Sequence, residues 1–231
     1  MKPDVIVCWP RSCDYPLWRQ FIRDNRERFA KVIVVFTEHD GLDYREFVRS
    51  AMDDVTFLDS PHEPNKDWRD VAVNAALDVS DAEWVWFTEQ DFFITQPDEF
   101  WEDVEESERH AVAIGWREPI SHRWHPSSLF AKRSAIDETD RYFGPEPVDH
   151  FYNFGRQMEA VGPFLPITWR KPYEHLQGIS QNHWLIDTGQ TEGIFNEPRF
   201  RRYIEDSLRV EVPLDPEWVR RGVQYLRTSA T

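Results

Sequence analysis

Residues 83–94 read EWVWFTEQDFFI, a short aromatic and apolar run that ends in two carboxylates, Glu89 and Asp91, before Phe92, Phe93 and Ile94 resume it. A run this short and this rich in Trp, Val and Phe predicts a strand buried on both faces, as in a parallel sheet, with the acids at its carboxyl end. Open α/β sheets keep their ligands at that end. Two acids beside aromatic mass lose hydration, and a divalent cation bridging them to an anionic ligand is the usual compensation. A solvated turn after a core strand accounts for the acids but not for the apolar residues that follow them.

The elements that must position this pair alternate in period. Residues 5–9 predict a strand, after which Asp14 is expected to cap a helix carrying Leu17, Trp18, Phe21, Ile22 and Phe29. Strands are expected at 32–36 and 55–58, and Asp67 with Asp70 marks the start of a helix with Trp68, Val71, Ala72, Ala75 and Ala76 on one stripe. A helix around Phe100, Trp101 and Val104 leads to a fifth strand at 111–116. This βαβ rhythm predicts an α/β fold, a single Rossmann-like domain over 1–231 with a mostly parallel central sheet and helices on both faces. The second half is less regular, with a strand at 127–133 and helices near 147–158, 199–206 and 216–226. Irregular segments rich in polar and aromatic side chains often carry binding function.

Composition narrows the partners. The 231 residues hold 42 acids against 27 bases, a net charge of −15, which opposes non-specific binding to polyphosphate backbones. Nucleic acid is disfavoured rather than excluded, because a local patch drawn from the 22 arginines can still face it. No stretch approaches the roughly 20 apolar residues of a membrane span, and the short run after MKPD lacks the features of a signal peptide, so a cytoplasmic location is expected. Cys8 and Cys13 are the only cysteines; a disulfide between them would close a trivially small loop, so both are expected reduced, with Cys8 in the core.

The sequence has no GxGxxG after its first strand, no GxxxxGK[ST], no GxSxG and no HExxH, which removes the main signals of dinucleotide oxidoreductases, P-loop NTPases, elbow-type serine hydrolases and zincins. What it has is an ordered set: a strand, WPRSCDYPLWRQFI, a strand ending in FTEHDG, the helix DWRDVAVNAAL, and a hydrophobic strand closing on acid-x-acid. This order resembles the GT-A class of nucleotide-sugar-dependent glycosyltransferases, in particular the family 2-like group, over roughly the first 160 residues. Glu89, Gln90 and Asp91 would be its DxD motif, with Glu in place of the first Asp, and Glu38, His39, Asp40 and Gly41 replace the common Asp-Asp-Gly-Ser.

The resemblance implies a metal-dependent glycosyl transfer from a nucleoside diphosphate-sugar to a saccharide or other hydroxyl-bearing acceptor. Residues 1–118 would form the nucleotide-sugar half and 119–231 the acceptor half. Mn²⁺ or Mg²⁺ would stabilise the departing diphosphate as a Lewis acid. Asp91 would ligate it, Glu89 would hold the metal, its water or the ribose, and His175 or His183 would complete the shell. Pro10, Thr37, Glu38 and Asp59 are implied contacts for base and ribose, and Arg11 and Arg69 for base or phosphate. A turn arginine is the plain alternative for Arg11, and a surface ion pair to Asp70 or Glu63 for Arg69. Asp149, in EPVDHFYNFGRQ, resembles the family's general base, with Val148 where a Glu is usual and Arg156 beyond; capping the helix is its other reading.

Three other readings remain open. One is a non-catalytic nucleotide-sugar-binding module. Another is a sugar-phosphate nucleotidyltransferase, against which stands the absence of glycine in CWPRSCDYP. The last is a metal hydrolase using His122 and His125, which lack a recognised ligand spacing.

Overall fold

In the computed structural model, which describes residues 1–9, 14–37, 40–64, 66–117, 124–144, 151–166, 173–175 and 197–228, the apolar runs of the first half become adjacent parallel strands. These are β1 (Asp4–Trp9), β2 (Val32–Phe36), β3 (Thr56–Asp59) and β4 (Trp84–Thr88), side by side in the order β3-β2-β1-β4. A short strand β5 (Phe92–Ile94) leaves the sheet. The sheet continues with β6 (Ala113–Arg117), β7 (Trp124–Lys132) and β8 (Phe164–Pro166) to the full order β3-β2-β1-β4-β7-β6-β8. Strand β7 is antiparallel to both β4 and β6, while β8 is parallel to β6, so the seven-stranded sheet is mostly parallel with one reversed strand. β7 comes from the second half of the chain and inserts between strands of the first, so the two halves share one sheet.

Alternation along the strands sorts the core into two layers, because successive side chains point to opposite faces. Val5, Val7, Val32, Val34, Phe36, Trp84 and Trp86 face one cluster; Ile6, Ile33, Val35, Val85 and Phe87 face the other. The first cluster is covered by α1 (Pro16–Asp24), α2 (Leu42–Ala51) and α4 (Pro97–Glu108). The second is covered by α3 (Trp68–Val79), α5 (Arg133–Ile136) and α6 (Tyr152–Val161). Two further helices, α7 (Glu197–Ser207) and α8 (Pro216–Thr228), add Phe200, Tyr203, Ile204, Trp218 and Tyr225 to the first cluster. No helix among the described residues is long and apolar enough to cross a membrane.

Two local expectations are corrected. Asp14 does not cap α1: Tyr15 is the N-cap residue and no side chain caps the helix. The Asp14 carboxylate instead accepts from Arg19 Nε at 3.0 Å and Nη2 at 2.8 Å, and from the Asp215 backbone N–H at 3.3 Å. Arg19 also donates to the Pro213 carbonyl, so the pair ties α1 to the segment entering α8. Both side chains are almost completely buried, and a guanidinium out of water requires a carboxylate partner more than the helix requires a cap. Phe29, expected on α1, lies beyond it, after a 3₁₀ turn at Arg26–Arg28, yet still packs against Trp86 at 5.8 Å.

Replacing Asp14 with Asn should leave Arg19 charged, buried and uncompensated. Urea unfolding should show a loss of about 3–5 kcal/mol, whereas the double replacement Asp14→Leu with Arg19→Met should cost much less.

Candidate functional site

The carboxylates are held by a turn. β4 ends at Thr88, and the Phe92 backbone N–H donates to the Glu89 carbonyl at 3.1 Å, closing a four-residue turn over Glu89, Gln90, Asp91 and Phe92. Gln90, the middle residue of the triplet, is buried at 4 % exposure, whereas Asp91 and Glu89 are half-buried. β5 then pairs antiparallel with β9 (Tyr173–His175) in a separate two-stranded sheet, with Phe92 opposite His175. The backbone register therefore brings His175 to the residue next to Asp91. Phe92 and Phe93 are buried, which explains why apolar residues follow the acids: they anchor the far side of the turn.

Glu89 shares strand parity with Val85 and Phe87 and so belongs to the α3 side of the sheet. There Arg69 Nη1 lies 3.2 Å from Glu89 Oε1, with the two side chains 18 % and 22 % exposed. The guanidinium also sits 5.1 Å from the centroid of the Trp68 ring. Neither alternative partner expected for Arg69 is used. Glu63 pairs with Lys66 at 2.5 Å, and Asp70 accepts the Phe143 backbone N–H at 2.8 Å. α3 itself starts as its sequence predicts: the Asp67 carboxylate accepts from the backbone N–H groups of Arg69 and Asp70. Burial with few compensating bonds pushes the Asp70 carboxyl above its ordinary range, the Phe143 N–H opposing it.

Two cavities flank this helix start. The smaller, about 20 Å³, is lined by Ile6, Cys8, Arg69, Val73, Phe87, Thr88, Glu89 and Phe151 and has room for about one water. Cys8 belongs to this wall rather than to the closed core; burial pushes its thiol up to about 12, with Arg69 opposing and Asp40 and Glu89 adding to the rise. Phe151 holds a left-handed backbone, φ 63°, as N-cap of α6, a conformation costing on the order of 1 kcal/mol or more for a residue of this size. Its ring is fixed among Phe87, Phe143 and Phe154.

The larger cavity, about 120 Å³, lies beyond the carboxyl ends of β2 and β3 and is lined by Thr37, Ser60, His62, Lys66 and Trp68, among others. Thr37, an expected base or ribose contact, is buried, and its backbone N–H donates to Asp40 at 2.7 Å. Asp59, expected in the same role, is paired with Arg45 at 2.7 Å and Arg49 at 3.1 Å and does not line the cavity. Pro10, Arg11, Glu38, Asp149 and His183 lie outside the described residues, and of His175 the backbone alone is described. Among the described residues no three His, Cys, Asp or Glu side chains cluster as a metal shell. The partnership of Trp68 and Glu89 with Arg69 went unread in the sequence, although the parity of Glu89 with Phe87 pointed to the α3 side.

No protein-family model matches the chain, and no curated protein matches it in sequence. Solved structures do match. The first 349 residues of TarS from S. aureus superpose with a TM-score of 0.56 at 15 % identity, covering 100 % of this chain and 74 % of that one. The mannosyltransferase PcManGT from Pyrobaculum calidifontis, solved with GDP-Man and Mn²⁺, gives 0.54 at 14 % identity, covering 98 % and 70 %. The bifunctional IspDF from Campylobacter jejuni gives 0.51 at 10 % identity, covering 78 % of this chain and 54 % of that one. The chain has a GT-A-like fold.

The raised Cys8 thiol should be inert. In Cys13→Ser protein, maleimide at pH 8 should label the native state slowly and the urea-unfolded state at once, as measured by mass spectrometry.

Proposed function

We propose that the protein is a divalent-metal-dependent glycosyltransferase that uses a nucleoside diphosphate-sugar. The observation that carries this reading is the Glu89–Gln90–Asp91 turn at the carboxyl end of the central strand, with Arg69 beside it and a cavity beyond the ends of β2 and β3. The GT-A-like fold supports it, as do two similar structures, one solved with GDP-Man and Mn²⁺ and one, of TarS, with UDP-GlcNAc at a TM-score of 0.52.

The donor set fits a hard divalent cation. Mg²⁺-type sites commonly use one or two carboxylates and leave the remaining positions to phosphate oxygens and water, so a shell of three protein groups is not required. Asp91 is the primary ligand in this reading, Glu89 the secondary one, and His175 or His183 the added nitrogen donor. When bound, the cation would act as a Lewis acid on the departing diphosphate.

The chain's own residues then divide the work. Arg69 supplies a fixed positive charge at the phosphates. The cavity lined by Thr37, Ser60 and Trp68 takes the base, and Pro10, Arg11 and Glu38 are assigned to the surrounding base, ribose or phosphate contacts. Asp149, two residues before Phe151 in the chain, is assigned the acceptor proton as general base. The half of the chain after residue 118 is assigned the acceptor.

A nucleoside diphosphate at about a hundred times its dissociation constant should raise the melting temperature by roughly 5–10 °C in the presence of Mn²⁺ or Mg²⁺, and much less in EDTA. Absence of a metal-dependent shift with each of UDP, GDP, dTDP and CDP sinks the reading. Asp91→Asn should keep the melting temperature of the free protein and lower transfer by roughly a hundredfold or more. If nucleotide binds but neither transfer nor slow hydrolysis of the nucleotide sugar is detected, the chain is a binding module instead.

A further inference from the structure

The Arg69 side chain is placed where helix electrostatics disfavour it. It occupies the first turn of α3, whose unpaired N–H groups carry partial positive charge, and the N-cap Asp67 and first-turn Asp70 are the residues that suit this end. The guanidinium is nevertheless only 18 % exposed, and it is held from two sides: 3.2 Å from the Glu89 carboxylate and 5.1 Å from the Trp68 ring centroid. Trp68 faces the larger cavity, whereas Arg69 and Glu89 face the smaller one. A cation in an unfavourable field, kept partly buried by an aromatic face and one carboxylate, is a preformed anion receptor with an anion of the protein's own in it.

We propose that Glu89 occupies the anion position of Arg69 in the free protein, that a diphosphate displaces it, and that Trp68 is the positioning residue that keeps the guanidinium in place during the exchange. The identity of the anion as the donor's diphosphate rests on the glycosyltransferase reading; the exchange itself does not. A phosphate oxygen, like the single Glu89 oxygen 3.2 Å from Arg69 Nη1, accepts a charge-assisted hydrogen bond from a guanidinium, and the diphosphate's higher negative charge favours it over the carboxylate. It also releases the Glu89 carboxylate at the moment the anion arrives. An affinity measured on the free protein is lowered by the fraction of molecules in which Arg69 is already engaged, so removing the internal competitor must tighten binding.

The experiment is calorimetric titration of inorganic pyrophosphate in EDTA at fixed ionic strength, with the melting temperature of each ligand-free variant as a fold control. Glu89→Gln keeps the shape and removes the charge; it should bind pyrophosphate about three- to fivefold tighter than wild type. Trp68→Leu in the Glu89→Gln background should lose that gain, and Trp68→Phe, which keeps an aromatic face, should restore most of it. Unchanged or weaker binding by Glu89→Gln, no pyrophosphate binding by any variant, or full affinity in the Leu variant each overturns the proposal. Nucleotides with Mn²⁺ test the other reading separately: loss of their binding with the pyrophosphate exchange intact removes the donor and keeps the exchange.

Discussion

The site depends on the burial of β4 from both faces. It is the middle strand of seven, with β1 on one side and β7 on the other. Trp84 and Trp86 point into one helical layer and Val85 and Phe87 into the other, and all four are at most 2 % exposed. Trp86 stacks on Phe130 at 5.1 Å, and its indole N–H donates to Ser128 Oγ at 3.0 Å, so the polar atom of this buried ring is satisfied from the neighbouring strand. Phe87 meets Phe143, Phe151 and Phe154 on the opposite face. A strand gripped in this way cannot slide by one residue without reversing every side chain. The position of Glu89 and Asp91 is therefore set by the packing of residues that do no chemistry.

Helix α3 is the second fixed part, and it joins the turn to the rest of its layer. Besides carrying Arg69 to Glu89, it holds the chain around residues 141–143: Asn74 Nδ2 donates to the Arg141 carbonyl at 3.1 Å, and Asp70 accepts from Phe143. Phe143 packs in turn on Phe151, the residue with the left-handed backbone beside the small cavity. One helix start thus orients a cation toward the β4 turn and, one helical turn later, braces the aromatic wall opposite. The polar contacts of α3 cluster at this end, while Ala72, Val73, Ala76 and Leu77 bury its apolar side.

What could be read from the sequence follows from what local pattern encodes. The four parallel strands and α3 were legible because alternation, buried apolar runs and the Asp67 cap are properties of neighbouring residues. Helix α2 was missed: it buries only Tyr44 and Val48 and leaves Leu42 76 % exposed, so its apolar stripe is too thin to register. The reversed direction of β7 was not legible either, since direction is set by the connection and not by the residues of SSLFAKR. Asp14 was misread because a carboxylate before a helix looks the same whether it caps or pairs; only the burial of Arg19 decides, and burial is a long-range fact. Glu89 and Asp91 stand out in the sequence by type and place, but the Arg69 contact spans 20 residues and the β5–β9 pairing about 80, beyond any periodicity.

Charge distribution gives the site its character. With 15 more acids than bases, the chain presents a far field that repels a polyanionic ligand such as the proposed donor, although at physiological salt this field decays over about 8 Å. Most described arginines do not counter it, because they are paired with acids, some across elements, as Arg28 with Glu105 and Arg45 and Arg49 with Asp59, and some within a helix, as Arg201 with Glu205 and Arg220 and Arg221 with Glu217. Those two arginines hold the Glu217 carboxyl down at about 2, the hydrogen bond from Arg220 contributing most, yet such exposed pairs stabilise little. Arg69, at 18 % exposure against 41 % for Arg201 and 54 % for Arg220, is screened less by salt than those surface arginines. In the proposed reading, the donor is therefore held at the junction of β4 and α3 by close contact rather than drawn there by steering at a distance.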